Sequence, residues 1–492
     1  MSAPRVLFAV AELFPLIKTG GLADVAAALP AALAELGIDV RIALPAYPGL
    51  REQLRDLHAA GSLALERTSF ALWQGRHPHS GVAVLLFDAP VLFDRPGNPY
   101  LDPAGRDQPD NALRFAAFCQ AVAAVARGYA GSALAADLVH LNDWHTGLVP
   151  LYLGEPIQRP RSLFTIHNLA YQGLFERADF DALGLPAALW RPQGIEFWGR
   201  FSFLKAGLHF ADALTTVSPR YAEEIRTPAF GEGLDGILRD RADVLHGILN
   251  GIDVVLWNPR TDAALPRRYG EEDVAAGKAE NKRALQQALG LEEDPAALLL
   301  VFIGRLVEQK GADALLAARS VFEQRPVQLA LLGSGDPALQ RAFGEWAQQR
   351  PQQIAVQIGY DEALAHRLTA AADAQIMPSR YEPCGMNQMY AQRYGAVPLV
   401  RRVGGLADSV AGLDAAQPSG IQFEHSDAGG VRYALDTALE LFHRPQRWRQ
   451  LQHNGMGRDF SWQGSARRYV ELYAEILGAA PHAGRGDAAS GV

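Results

Sequence analysis

Cysteine is almost missing from this chain of 492 residues, which has only Cys119 and Cys384. Two thiols so far apart form neither a disulfide framework nor a metal-ligand cluster, and they fit a reducing compartment. An excess of positive charge is missing too: 46 Lys and Arg face 54 Asp and Glu, a formal net charge of −8. That balance speaks against a nucleic-acid surface, although a local basic cleft stays open. No apolar run approaches the roughly 20 residues that span a bilayer. The start, MSAPRVLF, lacks the charged and apolar regions of a signal peptide, so a cytoplasmic protein without membrane contact is expected. Several catalytic signatures are absent as well. There is no GxxxxGK[ST], no GxGxxG after a strand, no Ser in a GxSxG context, no HExxH and no helical pair of acidic residues. P-loop, dinucleotide, esterase, zinc-protease and di-iron readings therefore lose their support.

What remains is an ordinary globular composition, 49% hydrophobic and 20% charged, in a chain too long for one core. Short apolar runs alternate with helical stretches through both halves. Strands are predicted at 6–10, 40–44, 82–87, 138–141, 163–166 and 213–217, then at 298–303, 328–332, 355–358, 374–377, 397–400 and 421–423. Turn signals at Asn250–Gly251 and Asn258–Pro259 separate the sets. The pattern predicts an α/β protein of two doubly wound, Rossmann-like domains facing across a cleft, at 1–250 and 251–460. An amphipathic helix at 461–478 could pack on either domain, and the small, polar residues 479–492 read as a disordered tail.

The richest stretch is MPSRYEPCGMNQMYAQRYGAVPLVRRVGGLADSV (377–410), which opens as strand end, acidic loop and helix, with Gly395 as the helix stop before the apolar run 397–400. Glu382, Pro383, Cys384 and Gly385 occupy the loop, and Met386 and Asn387 begin the helix. A helix N-terminus suits phosphate, while a carboxylate beside it suits hydroxyls on the attached group. Phosphate plus polyol means a sugar nucleotide, unless this is an ordinary strand–loop–helix unit with a surface Glu. KTGGLADV (18–25) offers a second loop of this kind, with Lys18 beside the close-approach pair Gly20 and Gly21. Pro30 should kink or restart the helix that follows. GRLVEQKG (304–311) places Arg305 and Lys310 after a strong strand, where a pyrophosphate needs positive charge, although for either residue alone a solvated loop charge is the better reading.

HLNDWHTGL (140–148) and TIHNLAYQG (165–173) supply Asp143, Trp144, His145, His167, Asn168 and Tyr171, a polar and aromatic set suited to a sugar. A metal site built on His140, His145 and His167 is the rival, but the spacing fits no zinc motif. The Asp179–Phe180–Asp181 triplet has the DxD form of metal-dependent sugar transferases, yet no strand precedes it. Glycoside hydrolysis would need two carboxylates across the bond, and the motifs offer one, Glu382, among cations.

Taken in order, KTGGLADV, HLNDWHTGL, TIHNLAYQG, LHGILNGIDVVLWNP, GRLVEQKG and PSRYEPCGMNQMYAQRYG closely resemble bacterial and plant glycogen and starch synthases, over residues 5–478. The resemblance implies a GT-B fold and a retaining, metal-independent hexosyltransferase. Such an enzyme moves glucose from ADP-glucose to the non-reducing 4-OH of an α-1,4-glucan such as glycogen, releases ADP and needs no cofactor beyond its donor. It further implies that Lys18, Gly20 and Gly21, with Asp24 in the same motif, meet the donor, and that Arg305 and Lys310 neutralise the departing diphosphate. Glu382 would hold donor-sugar hydroxyls, with Cys384, Gly385, Met386 and Asn387 lining the sugar and phosphate pocket. His167 would lie near the sugar's 6-OH and reacting centre. Asp143, Asn168 and Asn250 would contact sugar or acceptor, Tyr100 the acceptor and Tyr360 the adenine. Lys18, His167, Arg305, Lys310 and Glu382 are thus the expected catalytic set. Two positions depart from a common bacterial pattern: Asn142 stands where many members have His, and Asn387 where Thr is frequent. Tyr390 occupies the second Glu position of the related EX7E pattern, as is usual for this family. A UDP-sugar transferase, a non-catalytic glucan-binding protein and a phosphorylase are the alternatives.

Overall fold

The computed structural model describes residues 3–154 and 159–478. The expected tail at 479–492 lies outside the described residues. Two compact units are present. One takes the chain up to Val217, then Ala222–Asn250 and the C-terminal segment from Trp462; the other takes Ser218–Tyr221 and Gly251–Ser461.

The first unit is built on β1 (Arg5–Ala9), β2 (Asp39–Pro45), β3 (Arg55–Ala64), β4 (Ser69–Arg76), β5 (Ala83–Asp88), β6 (Leu138–Asn142) and β7 (Arg161–Ile166). A small three-stranded sheet follows, made of β8 (Leu174–Phe175), β9 (Glu196–Phe197) and β10 (Arg200–Ser202), before β11 (Ala213–Thr216) and β12 (Leu245–Gly247). The main sheet runs β12-β11-β7-β6-β1-β2-β5-β4-β3. Its strands are parallel except for the β3–β4 hairpin, which joins β5 antiparallel at one edge. The second unit holds β13 (Leu298–Ile303), β14 (Val327–Gly333), β15 (Ile354–Ile358), β16 (Ala374–Met377), β17 (Val397–Arg401) and β18 (Ile421–Phe423), all parallel, in the order β15-β14-β13-β16-β17-β18.

All the predicted strands form, with ends displaced by no more than a residue or two. The reason is visible in β13. Leu298, Leu300 and Phe302 enter one hydrophobic cluster while Leu299 and Val301 enter another on the opposite face. A strand covered by helices on both faces must be apolar at every position, which makes it legible as a run. The β3–β4 hairpin has mostly exposed positions in β3 and so carries no such run.

Two helix expectations are corrected or settled. Gly21–Glu35 is one helix that passes through a buried Pro30 with no restart. Proline removes one backbone bond there, and burial of Leu22, Val25, Ala26, Leu29 and Leu33 on the same helix offsets it. The Trp462–Gly478 helix packs within the first unit. Tyr473 there hydrogen-bonds His140 at 2.6 Å, and Ser465 donates to the Leu249 carbonyl.

Candidate active site

In the first unit the KTGG loop wraps around a carboxylate that no motif contains. Glu12 is 3% exposed. Its Oε1 accepts from Thr19 Oγ1 (2.6 Å) and the Tyr100 hydroxyl (2.6 Å), and its Oε2 accepts from the Thr19 and Gly20 backbone N–H groups (2.5 and 3.1 Å). Tyr100, expected on the acceptor side, is thereby tied to the loop that carries Lys18, Gly20 and Gly21. Its ring stacks on His145, with centroids 4.7 Å apart. Lys18 pairs with Asp24 at 2.8 Å across the first turn of the Gly21–Glu35 helix. The signal for Glu12 was available: it is the lone acid in the apolar run FAVAELFPLI.

Substituting Glu12→Gln isolates its role as a positioning residue. The Gln amide can keep its oxygen on the Thr19 and Gly20 N–H groups, but its NH2 then faces the Thr19 and Tyr100 hydroxyls, which must turn from donors into acceptors. All four contacts lose the charge that now strengthens them. The variant should lose about 10- to 100-fold in kcat/KM for the donor, while Tyr100→Phe, which removes one donor, loses less than about 10-fold. Steady-state kinetics on the two variants checks this, and equal small losses would reject it.

Asp143 follows β6 with φ of 57°, a left-handed backbone rare for a side-chain-bearing residue. Its Oδ1 accepts the His167 backbone N–H at 2.8 Å, so it joins the ends of β6 and β7. Burial pushes its carboxyl up to about 7, against the downward pull of the His167 and Asn168 N–H groups. A folded-state value above the unfolded one (about 3.9) means that the native state holds more protons between the two. This contribution to stability is present below the unfolded value and lost as pH rises through about 7. Asp143→Asn should therefore gain on the parent as pH rises from about 5 to 8, with the difference in Tm widening by about 2 °C or more. Thermal melts across that range test the sign.

The remaining first-unit residues divide. His140 and His145 are buried and held down to about 3 by desolvation, hence neutral. His140 is engaged by Tyr473 and Thr165. Among the described residues no group of His, Cys, Asp and Glu side chains is arranged to hold a metal ion. Trp144, partly exposed, packs among Phe115, Phe175 and Phe203. Asn168 accepts from the Ala170 N–H, and Tyr171 is half exposed. Asn250 is 7% exposed, and among the described residues its buried Oδ1 has no hydrogen-bond partner. Asp179 caps the Arg177–Ala182 helix and Asp181 pairs with Arg177, so the DxD triplet is helix chemistry.

In the second unit Lys310 and Glu382, assigned different tasks from sequence, form one ion pair. Lys310 Nζ lies 2.8 and 2.6 Å from the two Glu382 oxygens, and Ser379 Oγ donates to Oε2 at 3.0 Å. Glu382 is 4% exposed. Both side chains leave the carboxyl ends of adjacent strands β13 and β16, as ligand-binding groups in doubly wound sheets do. Arg305 follows β13 by two residues and donates to Gln309 at 3.1 Å. Gly311 lets this loop press on the end of β16, where an added Cβ would lie 2.1 Å from the Pro378 carbonyl.

Cys384 is buried, Gly385 takes φ of 68°, and Met386 caps the Asn387–Arg393 helix. Asn387 is not a bare substitute for a hydroxyl. Its Nδ2 donates to the Ile303 carbonyl at 2.8 Å and fastens the helix start to the end of β13. Gly404 and Gly405 fall in the same 377–410 stretch, but were given no role from sequence. Added Cβ atoms there would fall 2.0 and 2.1 Å from the Glu382 and Cys384 carbonyls, so only glycines let the Gly404–Ser409 helix approach the loop. A signal existed, because GGLAD occurs both at 20–24 and at 404–408. Trp257 was also missed. It lies stacked between His366 and Tyr390, 3.8 Å from each, while Arg393 donates to the Val254 and Trp257 carbonyls. The segment after Gly251 is thus clamped to the Asn387–Arg393 helix. Tyr360 is 75% exposed with its hydroxyl on Glu362.

Comparison with known proteins matches residues 5–240 to the starch synthase catalytic domain family and residues 281–451 to glycosyl transferases group 1. The chain is 50% identical over 480 residues to glycogen synthase 1 of Methylococcus capsulatus, covering 96% of this chain and 97% of that one. It is 50% identical over 485 residues to the glycogen synthase of Aromatoleum aromaticum, covering 97% and 98%. Among solved structures, the catalytic domain of starch synthase IV from Arabidopsis thaliana, bound to ADP and acarbose, aligns with a TM-score of 0.85 and 34% identity over 97% of this chain and all of that one. Sucrose-phosphate synthase from Thermosynechococcus elongatus aligns at 0.60 with 20% identity, which speaks to the fold alone.

Proposed function

The chain belongs to the glycogen and starch synthase family of GT-B glycosyltransferases, and from that premise we propose that it moves glucose from ADP-glucose to the non-reducing 4-OH of an α-1,4-glucan such as glycogen. The observation that carries the reading is the Lys310–Glu382 pair. It sets a cation suited to phosphate against a buried carboxylate suited to sugar hydroxyls, at the ends of adjacent strands.

In this reading Arg305, Lys310 and the first turn of the Asn387–Arg393 helix receive the diphosphate, Cys384, Gly385 and Met386 line the pocket through backbone groups, and Tyr360 borders adenine. Lys18, Gly20, Gly21 and Asp24 serve the donor, and Asp143, Asn168, Asn250 and Tyr100 serve sugar and acceptor. Glu382 and His167 hold the transferred glucose. The bond from glucosyl C1 to the phosphate oxygen breaks with oxocarbenium character, and its electrons stay with ADP. The acceptor 4-OH adds to C1 from the same face, and its proton passes to the departing phosphate oxygen. Configuration is retained without a separate base, cofactor or metal.

No helix among the described residues is long and apolar enough to cross a membrane, and we assign the activity to the cytoplasm. The test is ADP release from ADP-glucose with and without glycogen, repeated in EDTA and with UDP-glucose. Glycogen-dependent release from ADP-glucose that survives EDTA supports the reading. Preference for UDP-glucose reassigns the donor, and glucan binding without turnover of either donor removes the activity.

A further inference from the structure

Asn142 ends β6 and is fully buried. Its Nδ2 donates to the Ala9 carbonyl at the end of β1 (3.0 Å), and its Oδ1 lies 2.9 Å from His167 Nε2. The first contact orients the amide, because only the NH2 end can meet a carbonyl oxygen; flipping it would set two acceptors together. With Oδ1 facing the ring, Nε2 must carry the hydrogen, since an amide oxygen only accepts. The backbone of His167 is held as well, through Asp143 Oδ1. Among the described residues nothing hydrogen-bonds Nδ1.

We infer that Asn142 locks His167 in the Nε2–H tautomer, so that the imidazole meets the substrate through a bare Nδ1 lone pair, as a hydrogen-bond acceptor and not as an acid. Desolvation keeps the ring neutral, its value lowered to about 3, which agrees with that assignment. The acceptor role rests on the reading that His167 borders the donor glucose; the tautomer does not. A sugar hydroxyl donates more strongly as positive charge builds on the ring, so a contact to Nδ1 strengthens toward the transition state and belongs in kcat. Asn142 is accordingly a positioning residue. A histidine in its place also offers one N–H and one acceptor nitrogen, and can reproduce both contacts.

The test is 15N NMR of the histidine-labelled full chain, with His167 assigned by the signals lost in His167→Gln. The parent should show a protonated Nε2 and an unprotonated Nδ1 from about pH 6 to 8. Asn142→Ala should mix the tautomers and lower kcat about 10-fold with little change in KM, and Asn142→His should restore both readouts. A protonated Nδ1 in the parent overturns the lock whatever the variants do. An unmixed tautomer in a folded Asn142→Ala overturns Asn142 as its cause. The expected tautomer together with full activity in His167→Ala overturns the acceptor role and with it the placement of His167 at the donor, while the lock stands.

Discussion

Lys310→Ala is expected to lower kcat for glycogen-dependent ADP release by about 100-fold or more, and Arg305→Ala by a similar factor. Removing Lys310 does two things at once. It deletes a preorganised charge from the place where the diphosphate takes up negative charge, a contact commonly worth roughly 3–4 kcal/mol. It also strands the Glu382 carboxylate, 4% exposed, with Ser379 as its remaining side-chain donor among the described contacts. An acid left buried without its counter-ion destabilises the loop around it, so the variant should also melt earlier. Lys310→Arg separates the two effects. The charge remains and can still fork across both carboxylate oxygens, so stability should return more fully than turnover. Near-parental rates in both alanine variants would remove these side chains from the diphosphate site.

Glu382→Gln should cost about 100-fold or more in kcat by a different route. The substitution keeps the shape and leaves the Ser379 contact possible, but removes the negative charge and one of the two acceptor oxygens that the Lys310 ammonium now touches at 2.8 and 2.6 Å. If Glu382 holds hydroxyls of the transferred glucose, turnover falls while ADP, which lacks that glucose, binds at least as tightly as in the parent. Calorimetric titration of ADP against Lys310→Ala and Glu382→Gln therefore sorts the pair. The first variant should lose ADP affinity and the second should keep or gain it. Parallel losses would mean that Glu382 acts only by holding Lys310 in place.

The parallel strands of both units were readable because each is buried on two faces, as β13 shows by sending alternate residues into two clusters. Lys310, Glu382, Arg305 and the KTGG loop were readable as local motifs, since each sits within a few residues of a strand end. The β3–β4 hairpin and the small β8–β10 sheet were not readable, because solvent-facing or two-residue strands impose no apolar run. Glu12 was passed over for a related reason. Its importance lies in donors from Thr19, Gly20 and Tyr100, and Tyr100 is far from it along the chain.

Residue order thus determined what is covalently local: which segments are strands, which glycines and charges stand at their ends, and the ordered motifs that mark the family. Tertiary structure decided what those residues touch. It paired Lys310 with Glu382 across two strands, turned Asn387 toward the Ile303 carbonyl, and oriented the Asn142 amide between Ala9 and His167. Hydrogen bonds and ion pairs depend on ångström distances and donor direction, and strand order in a parallel sheet sets both. Neighbours in that sheet can stand more than a hundred residues apart in the chain, as β1 and β6 do.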